Sequence, residues 1–221
     1  MRRILVSALL LAAAASPAAA QGHDHTQPAA GHGAGHAHAM PAGWTARLDR
    51  ANANVADMMF MQMGGGYHVV TGPAAILYNP ATTATGAYTA RGTFRQNKLS
   101  AHPEAYGLIL GGRNLTADNQ DYLYFLVRQD GQFTIKHRAG SETHTLMDWT
   151  ENAAVAKPDA QGRATNALSV ASTPTHIRFL VNGTQVAEFA RPSANTDGVV
   201  GLRINHNLDV MVTDFAVQPT R

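Results

Sequence analysis

The 221-residue sequence contains no cysteine. That absence excludes disulfide bonds, thiolate metal sites, a cysteine nucleophile and the lipidated cysteine of a lipoprotein. A chain of this length can rely on a hydrophobic core, so disulfides are not required even in an oxidising compartment. The sequence also lacks a serine-hydrolase elbow, a phosphate-binding loop and a dinucleotide-binding fingerprint, so it gives no sign of those common catalytic classes.

Long apolar runs are missing too, except at the N-terminus. Two arginines precede the apolar residues 4–15, and Ser16-Pro17 then leads to three alanines. A basic start, a short apolar segment and a small-residue cleavage site are typical of a secretory signal peptide, and the segment is too short to span a bilayer. We therefore predict a signal peptide at residues 1–20, export to the periplasm or beyond the cell, and no membrane span.

The chain has no excess of charge once that segment is removed. Lys and Arg together number 17 and Asp and Glu 15, and two of the arginines lie in residues 1–20. The remainder is therefore balanced. Because nucleic-acid binding depends on clustered positive charge that displaces counterions, we expect no nucleic acid among the partners.

Residues 21–43 are rich in Gly, Ala, Pro and His and have no apolar periodicity. Such a segment cannot bury enough surface to offset its conformational entropy, so we predict a disordered linker. Five histidines lie within it, namely His23, His25, His32, His36 and His38. Neutral imidazole binds copper and zinc, which makes this tail a candidate Cu2+ or Zn2+ site. Biased linkers also arise without selection for metal binding, and both interpretations stay open.

Two dipeptides indicate β-hairpins in the remaining chain. Asp130-Gly131 and Asn182-Gly183 tolerate the positive φ angles of a type I′ turn, and alternating apolar residues flank each of them. The strands that they join are predicted at residues 121–128 and 132–138 and at residues 176–181 and 184–190. Alternation also predicts faces: Phe179 points into the core and Arg178 points outward.

Further strands follow the same alternation. They are predicted at residues 67–70, 75–78, 87–94, 106–110, 143–149, 166–171, 199–204 and 210–217. One short helix is predicted at residues 51–63. Many short strands at close spacing predict two packed antiparallel sheets, so the expected fold class is an all-β jelly-roll sandwich that occupies residues 44–221.

The sequence also resembles a known superfamily. The likeness is carried by Tyr106-Gly-Leu-Ile-Leu, by Tyr122-Leu-Tyr-Phe-Leu-Val-Arg-Gln-Asp-Gly, by Ile177-Arg-Phe-Leu-Val-Asn-Gly-Thr-Gln-Val, and by the ending from Gly198-Val-Val-Gly-Leu-Arg to Asp214-Phe-Ala-Val. These segments are similar to concanavalin A-like (laminin-G-like) jelly rolls, and nearest to the bacterial exported domains called 3-keto-disaccharide hydrolases. The shared motifs are turns and closing strands, so the resemblance implies the fold far more than the activity.

Glutamate is scarce. The chain has four, Glu104, Glu142, Glu151 and Glu188, and none lies in the Glu-x-Asp-x-x-Glu pattern of the superfamily's glucanases. Retaining glycosidases need two carboxylates that face each other at short separation, so we expect no glucanase-type active site. The resemblance still implies hydrolysis of keto-sugar glycosides as an alternative function, with the acid and base residues unassigned.

The densest polar stretch between predicted strands is the loop at residues 111–121. Five of its side chains can hydrogen-bond sugar hydroxyls: Arg113, Asn114, Asp118, Asn119 and Asp121. Asp118, Asn119 and Asp121 can alternatively supply oxygen ligands to Ca2+.

Further candidate residues lie in the neighbouring strands. Tyr124 and Trp149 can offer an aromatic stacking face for a sugar. The basic residues predicted to lie opposite the loop are Arg128, Lys136 and Arg138. His137 and His206 are predicted to point outward and to join a ligand surface. The alternative interpretation is a solvated loop beside an ordinary sheet, with Trp149 in the core.

A methionine-rich run occupies residues 58–63, and His68 follows it. As a strand, this run would place Met59, Met61 and Met63 on one face, where their thioethers would suit cuprous copper. Methionine is also a common filler of irregular cores, and that alternative stays open.

These observations predict an extracytoplasmic ligand-binding module, with a carbohydrate as the favoured ligand and no required cofactor. Two alternatives remain: a glycoside-type hydrolase of the same fold, and periplasmic copper or zinc binding through the histidine-rich tail. Carbohydrate binding should survive removal of residues 21–43, whereas metal binding should largely vanish with them.

Overall fold

The computed structural model describes residues 40–220. Fourteen strands and two single-turn 3-10 helices form the regular structure of these residues. The strands are β1 (Thr45–Leu48), β2 (Met58–Met63), β3 (Gly66–Thr71), β4 (Ala75–Ala84), β5 (Tyr88–Gln96), β6 (Ala105–Arg113), β7 (Asp121–Arg128), β8 (Gln132–Ala139), β9 (Glu142–Glu151), β10 (Ala164–Ser172), β11 (His176–Val181), β12 (Thr184–Ala190), β13 (Gly198–Ile204) and β14 (Asp209–Pro219). The 3-10 helices are Val55–Asp57 and Arg191–Ser193. No helix in this part of the chain is long and apolar enough to cross a membrane.

The strands form two seven-stranded sheets. Sheet A has the order β1-β4-β13-β6-β7-β8-β9, and sheet B has the order β12-β11-β10-β5-β14-β3-β2. All pairings between these strands are antiparallel. The predicted all-β sandwich of two antiparallel sheets is therefore confirmed.

The hydrophobic core lies between the sheets because alternate residues of each strand are apolar. Burial alternates along β10 and β11, the pattern of strands with one face in the core. Aromatic pairs join the two sheets across this core. Phe125 of sheet A meets Phe179 of sheet B edge to face at 5.3 Å, and Tyr106 of sheet A stacks on Phe94 of sheet B at 5.7 Å. The inward orientation predicted for Phe179 is confirmed, since its side chain is fully buried.

Both predicted hairpins are present, but their turns differ. Asn182 and Gly183 have φ angles of 50° and 81°, as a type I′ turn requires. In the hairpin of β7 and β8, Gly131 has a φ of 87° but Asp130 does not have a positive φ. The Gly131 N–H donates to the Arg128 carbonyl at 3.1 Å, which closes a three-residue loop with a left-handed glycine at its end. The type I′ prediction was wrong here, because the longer loop leaves Asp130 with an ordinary backbone conformation.

The helix predicted at residues 51–63 is wrong. Only Val55–Asp57 forms a helical turn, and Met58–Met63 is β2, an edge strand of sheet B that pairs with β3 along its whole length. Pairing with β3 and burial of Phe60 between the sheets outweigh the helix propensity of the alanines and methionines. Strand β1 was not predicted.

Candidate functional site

The outer face of sheet A, which is turned away from sheet B, buries a second set of side chains. Leu77, Leu108 and Leu123 belong to the main core, so their neighbours along each strand point outward. The outward residues form a separate apolar cluster: Ile76, Tyr78, Ile109, Leu115 and Tyr122, with Tyr124 and Val199 packed against it. The loop between β6 and β7 covers one end of this cluster, and Nη1 of Arg47 donates to the loop carbonyl of Leu115 at 3.0 Å.

Asp49 and Arg203 form a bidentate ion pair on this face. Nη1 of Arg203 donates to Oδ1 of Asp49 at 2.8 Å, and Nη2 donates to Oδ2 at 2.6 Å. Burial raises the pKa of Asp49, but the hydrogen bonds and charge of Arg203 outweigh that effect and hold the pKa below its usual value. Burial lowers the pKa of Arg203, and Asp49 more than offsets it, so the guanidinium pKa is raised. Both groups are therefore charged at neutral pH.

Two tyrosines lie beside the ion pair. The guanidinium carbon of Arg203 is 5.5 Å from the ring centre of Tyr124, and the rings of Tyr122 and Tyr124 are 5.9 Å apart. Burial raises the pKa of both phenols, against the opposing effect of Arg203. The phenols are therefore protonated at neutral pH, and each hydroxyl can donate and accept a hydrogen bond.

A second pair of arginine and aromatic ring lies at the other end of the same face. The guanidinium carbon of Arg128 is 4.2 Å from the ring centre of Trp149, within the range of a cation–π interaction. Nε of Arg128 donates to Asp130 at 2.8 Å and Nη2 donates to Gln132 at 2.7 Å, which holds the guanidinium in place. Trp149 is half-buried on the outer surface and does not belong to the core.

Strand β7 connects the two pairs. Its side chains at Tyr122, Tyr124 and Arg128 point to the outer face, and Tyr124 and Arg128 are four residues or about 13 Å apart along the strand. On the adjacent strand β8, Lys136 lies opposite Tyr124 and Arg138 lies opposite Tyr122. Tyr122 is buried, but Tyr124, Arg128, Lys136 and Arg138 are partly exposed. These aromatic and basic side chains line a surface that is long enough for an extended ligand.

Three of the predicted residues meet at the β6–β7 loop. Nη2 of Arg113 is 2.9 Å from Oδ1 of Asp121, and Nε2 of His137 is 3.3 Å from Oδ2 of the same carboxylate. The prediction that His137 points outward is wrong, because His137 lies opposite Leu123 and shares the core-facing side of β8 with Ile135. A histidine is tolerated there because this end of the sandwich is open, and the His137 side chain remains about a third exposed.

The other predicted loop residues do not converge on one point. Asn114, Asp118 and Asn119 are exposed, and both carboxylate oxygens of Asp121 already face cationic or histidine partners. Within residues 40–220, no three His, Asp or Glu side chains are grouped so that they could hold a metal ion. Calcium binding at the loop stays a prediction.

Two predicted residues lie at the opposite end of sheet A from the loop. Strand β7 begins beside the loop at Asp121 and ends at Arg128, so Arg128 does not lie opposite the loop as predicted, whereas Arg138 does lie beside it. His206, in the turn between β13 and β14, is exposed, and its Nε2 is 2.8 Å from Oε1 of Glu104. The predicted site residues therefore lie at both ends of sheet A and do not form a single cluster.

Asp49 and Arg203 were not predicted from the sequence. Arg203 stands between Leu202 and Ile204 and has the pattern of any outward residue in a half-buried strand. Its one unusual feature in the sequence is that the residues before and after it, 198–202 and 204, are all apolar and uncharged. Asp49 is 154 positions away in the chain and reaches Arg203 only because β1 and β13 both pair with β4.

The signal peptide predicted at residues 1–20 and the five histidines at positions 23, 25, 32, 36 and 38 lie outside the residues that the structure describes. Export and metal binding by the tail therefore stay predictions.

Neither a protein-family profile nor a characterised protein sequence matches the chain. Solved structures do. The carbohydrate-binding module CBM66 from Bacillus subtilis has a TM-score of 0.58 and 11% identity, and the match covers 80% of this chain and 95% of that one. A Bacillus subtilis protein of unknown function with a galectin-like fold has a TM-score of 0.55 and 11% identity, over 80% of this chain and 89% of that one.

A GH16 protein of Bacteroides ovatus, solved in complex with a product, has a TM-score of 0.52 and 8% identity over 76% of this chain and 92% of that one. Identities this low show the fold alone. The described part of the chain shares the two-sheet jelly-roll fold of these structures. Membership of the concanavalin A-like superfamily stays a prediction. The narrower likeness to 3-keto-disaccharide hydrolases stays a prediction.

Proposed function

We propose that this jelly-roll domain recognises a carbohydrate through the outer face of sheet A. The observation that carries the proposal is the row of partly exposed aromatic and basic side chains from Tyr124 to Trp149. The apolar faces of sugar rings pack on aromatic rings, while their hydroxyls need fixed donors and acceptors. Arg128 is held by Asp130 and presents such donors beside Trp149, whereas the largely buried Arg203 is held by Asp49 beside the ring of Tyr124.

The similar structures support this proposal. One is described as a carbohydrate-binding module and another as a GH16 protein in complex with a product, and both share the two-sheet architecture. Because the fold alone does not establish a function, the assignment depends on the side chains of this chain's own sheet A.

Binding to a glycan array, followed by calorimetric titration with each positive oligosaccharide, tests the proposal. Trp149→Ala and Arg128→Ala should each weaken binding by more than about tenfold, the effect expected of central aromatic and arginine contacts. Arg178→Ala is the matched control, because Arg178 also forms an ion pair with a carboxylate, Glu188, but lies on sheet B. Equal affinity in all three variants and the unchanged protein, or no glycan bound at all, would contradict the proposal.

The hydrolase alternative is tested in the same titrations by measuring the release of free sugar. The four glutamates occupy separate places, since Glu104 precedes β6, Glu142 and Glu151 lie at opposite ends of β9, and Glu188 belongs to β12 of the other sheet. A hydrolytic mechanism would therefore need acid and base groups other than two closely spaced glutamates.

We also propose, from the sequence alone, that the protein is exported and that its histidine-rich tail binds metal. The arginine pair, apolar segment and alanine site at residues 1–20 support export, and the five histidines of residues 23–38 support binding of Cu2+ or Zn2+. N-terminal sequencing of the protein recovered from a periplasmic extract tests the first, and a chain that begins at Gln21 is the expected result.

A further inference from the structure

The outer face of sheet B carries a row of sulfur and imidazole side chains that the carbohydrate proposal does not use. Met61 of β2 lies directly opposite His68 of β3, and His68 lies directly opposite Met211 of β14. Phe60 and Val69, the strand neighbours of Met61 and His68, are buried in the core, so the row itself points away from sheet A. The two thioethers therefore flank the imidazole from both sides.

The spacing of the strands suits convergence on a single ion. Adjacent strands lie about 4.8 Å apart, and directly opposite side chains start about 4.5–5.5 Å apart at Cβ. Methionine has three rotatable side-chain bonds, so the sulfurs of Met61 and Met211 can both swing toward a point above His68. Met59, two residues before Met61, has the same outward orientation and lies opposite Val70.

The imidazole of His68 is already oriented by the protein. Its Nε2 lies 2.9 Å from Oδ1 of Asp209, which also accepts a hydrogen bond from Nδ2 of Asn97 at 2.7 Å. When Nε2 of His68 donates its proton to Oδ1 of Asp209, the lone pair of Nδ1 is left for a ligand. Metal-binding histidines commonly have such a carboxylate partner.

Filling of the core does not explain these methionines. Met58 packs against the main core, whereas Met59, Met61 and Met211 are half-buried on the outer face and Met63 is exposed. The interpretation of the run as core filler is therefore wrong for the residues that point outward. Arg95 lies opposite Met211, and its Nε donates to Asn97 Oδ1 at 3.0 Å.

We propose that Met61, His68 and Met211 form a binding site for Cu(I), with Asp209 as the residue that positions His68. Two thioethers and one neutral imidazole are soft donors, and soft donors select cuprous copper over zinc, calcium and magnesium. The site lies on sheet B, so it is independent of the carbohydrate face on sheet A. It also differs from the histidine-rich tail, whose nitrogen ligands suit Cu(II).

Silver(I) is a redox-stable probe for such a site. In the purified protein labelled with 13C at the methionine methyl groups, titration with Ag(I) should shift the signals of Met61 and Met211 in a saturable manner. The signal of Met58, on the same strand but turned into the core, is the internal control and should stay in place. Unshifted Met61 and Met211 signals would overturn the proposal without requiring any variant.

Competition with bicinchoninate under anaerobic conditions measures Cu(I) affinity directly. Met61→Leu combined with Met211→Leu keeps the side-chain volume and should weaken Cu(I) binding by more than about tenfold, whereas Met58→Leu should leave it unchanged. Asp209→Asn should weaken binding by about tenfold or more, as expected for a positioning carboxylate. If the double variant retains the affinity of the unchanged protein, Cu(I) is bound elsewhere, for example by the tail, and the proposal is wrong.

Discussion

Replacement of Asp49 by asparagine probes the ion pair that underlies the proposed carbohydrate face. Asparagine has nearly the same shape but cannot neutralise Arg203, whose side chain is only 12% exposed. The substitution therefore leaves a largely buried guanidinium with one neutral acceptor in place of a carboxylate that took two hydrogen bonds.

The expected loss follows from the burial of the two partners. Removal of one member of a fully buried ion pair costs about 3–5 kcal/mol. Asp49 is 41% exposed, so water already solvates part of the pair and can partly replace the lost carboxylate. We expect Asp49→Asn to lower the free energy of unfolding by about 2–3 kcal/mol, measured by urea denaturation at pH 7.

A second substitution separates the charge effect from general damage. Arg203→Met is added to Asp49→Asn to give a double variant. This second substitution removes the buried charge but keeps a long apolar side chain against Tyr124. Because no charge is then left unpaired, the double variant should be more stable than Asp49→Asn alone. If the double variant is no more stable, or if Asp49→Asn changes the free energy of unfolding by less than about 0.5 kcal/mol, the reasoning on the buried pair is refuted.

The same pair predicts a dependence on pH. The pKa of Asp49 is lower in the folded protein than its ordinary value, so its contribution to stability is fully present above that ordinary value, about 4. The contribution should be lost as the pH falls through the lowered pKa of the folded state. The stability difference between the unchanged protein and Asp49→Asn should therefore shrink below about pH 4.

Three further predictions concern the core, a turn and the tail. Phe179→Ala should lower the free energy of unfolding, measured in urea, by about 3–5 kcal/mol. Arg178→Ala, on the opposite side of β11, should lower it far less. Equal losses would mean that the two faces of the strand are assigned wrongly. Gly183→Ala should lower the thermal midpoint through a loss of about 1–2 kcal/mol, because the residue holds a φ of 81°, and an unchanged midpoint would contradict that strain. In calorimetric titration, deletion of residues 21–43 should abolish most Cu(II) binding and leave glycan binding intact, and Cu(II) should bind more tightly than Zn(II). Cu(II) binding that survives the deletion would place its ligands in the sandwich.

Local features of the sequence predicted the strands. Alternation of apolar residues located β3 to β14, because a strand with one face in the core must alternate. The pair Asn182-Gly183 predicted its turn correctly, because the φ angles of a turn depend on the residues that occupy it. The same local reasoning failed at Met58–Met63, where alanines and methionines suggested a helix and pairing with β3 produced a strand.

The candidate sites depended on which strands became neighbours. The aromatic residues Tyr124 and Trp149 were identified from the sequence, because an aromatic side chain can stack on a sugar ring whatever its neighbours in the chain. Asp49 and Arg203 were not, since a single aspartate in a loop and a single arginine in a strand have no local signature. They meet across 154 residues only because both of their strands pair with β4.

The methionines also show which features depend on local sequence and which depend on the tertiary structure. The sequence placed Met59, Met61 and Met63 on one side of a possible strand, but it could not say whether that side faced the core. Burial of Phe60 between the sheets turned them outward, and the registers of β2, β3 and β14 brought Met61, His68 and Met211 into one row. Alternation is a property of one strand and can be read locally, whereas the register between strands is decided by the packing of the whole sandwich.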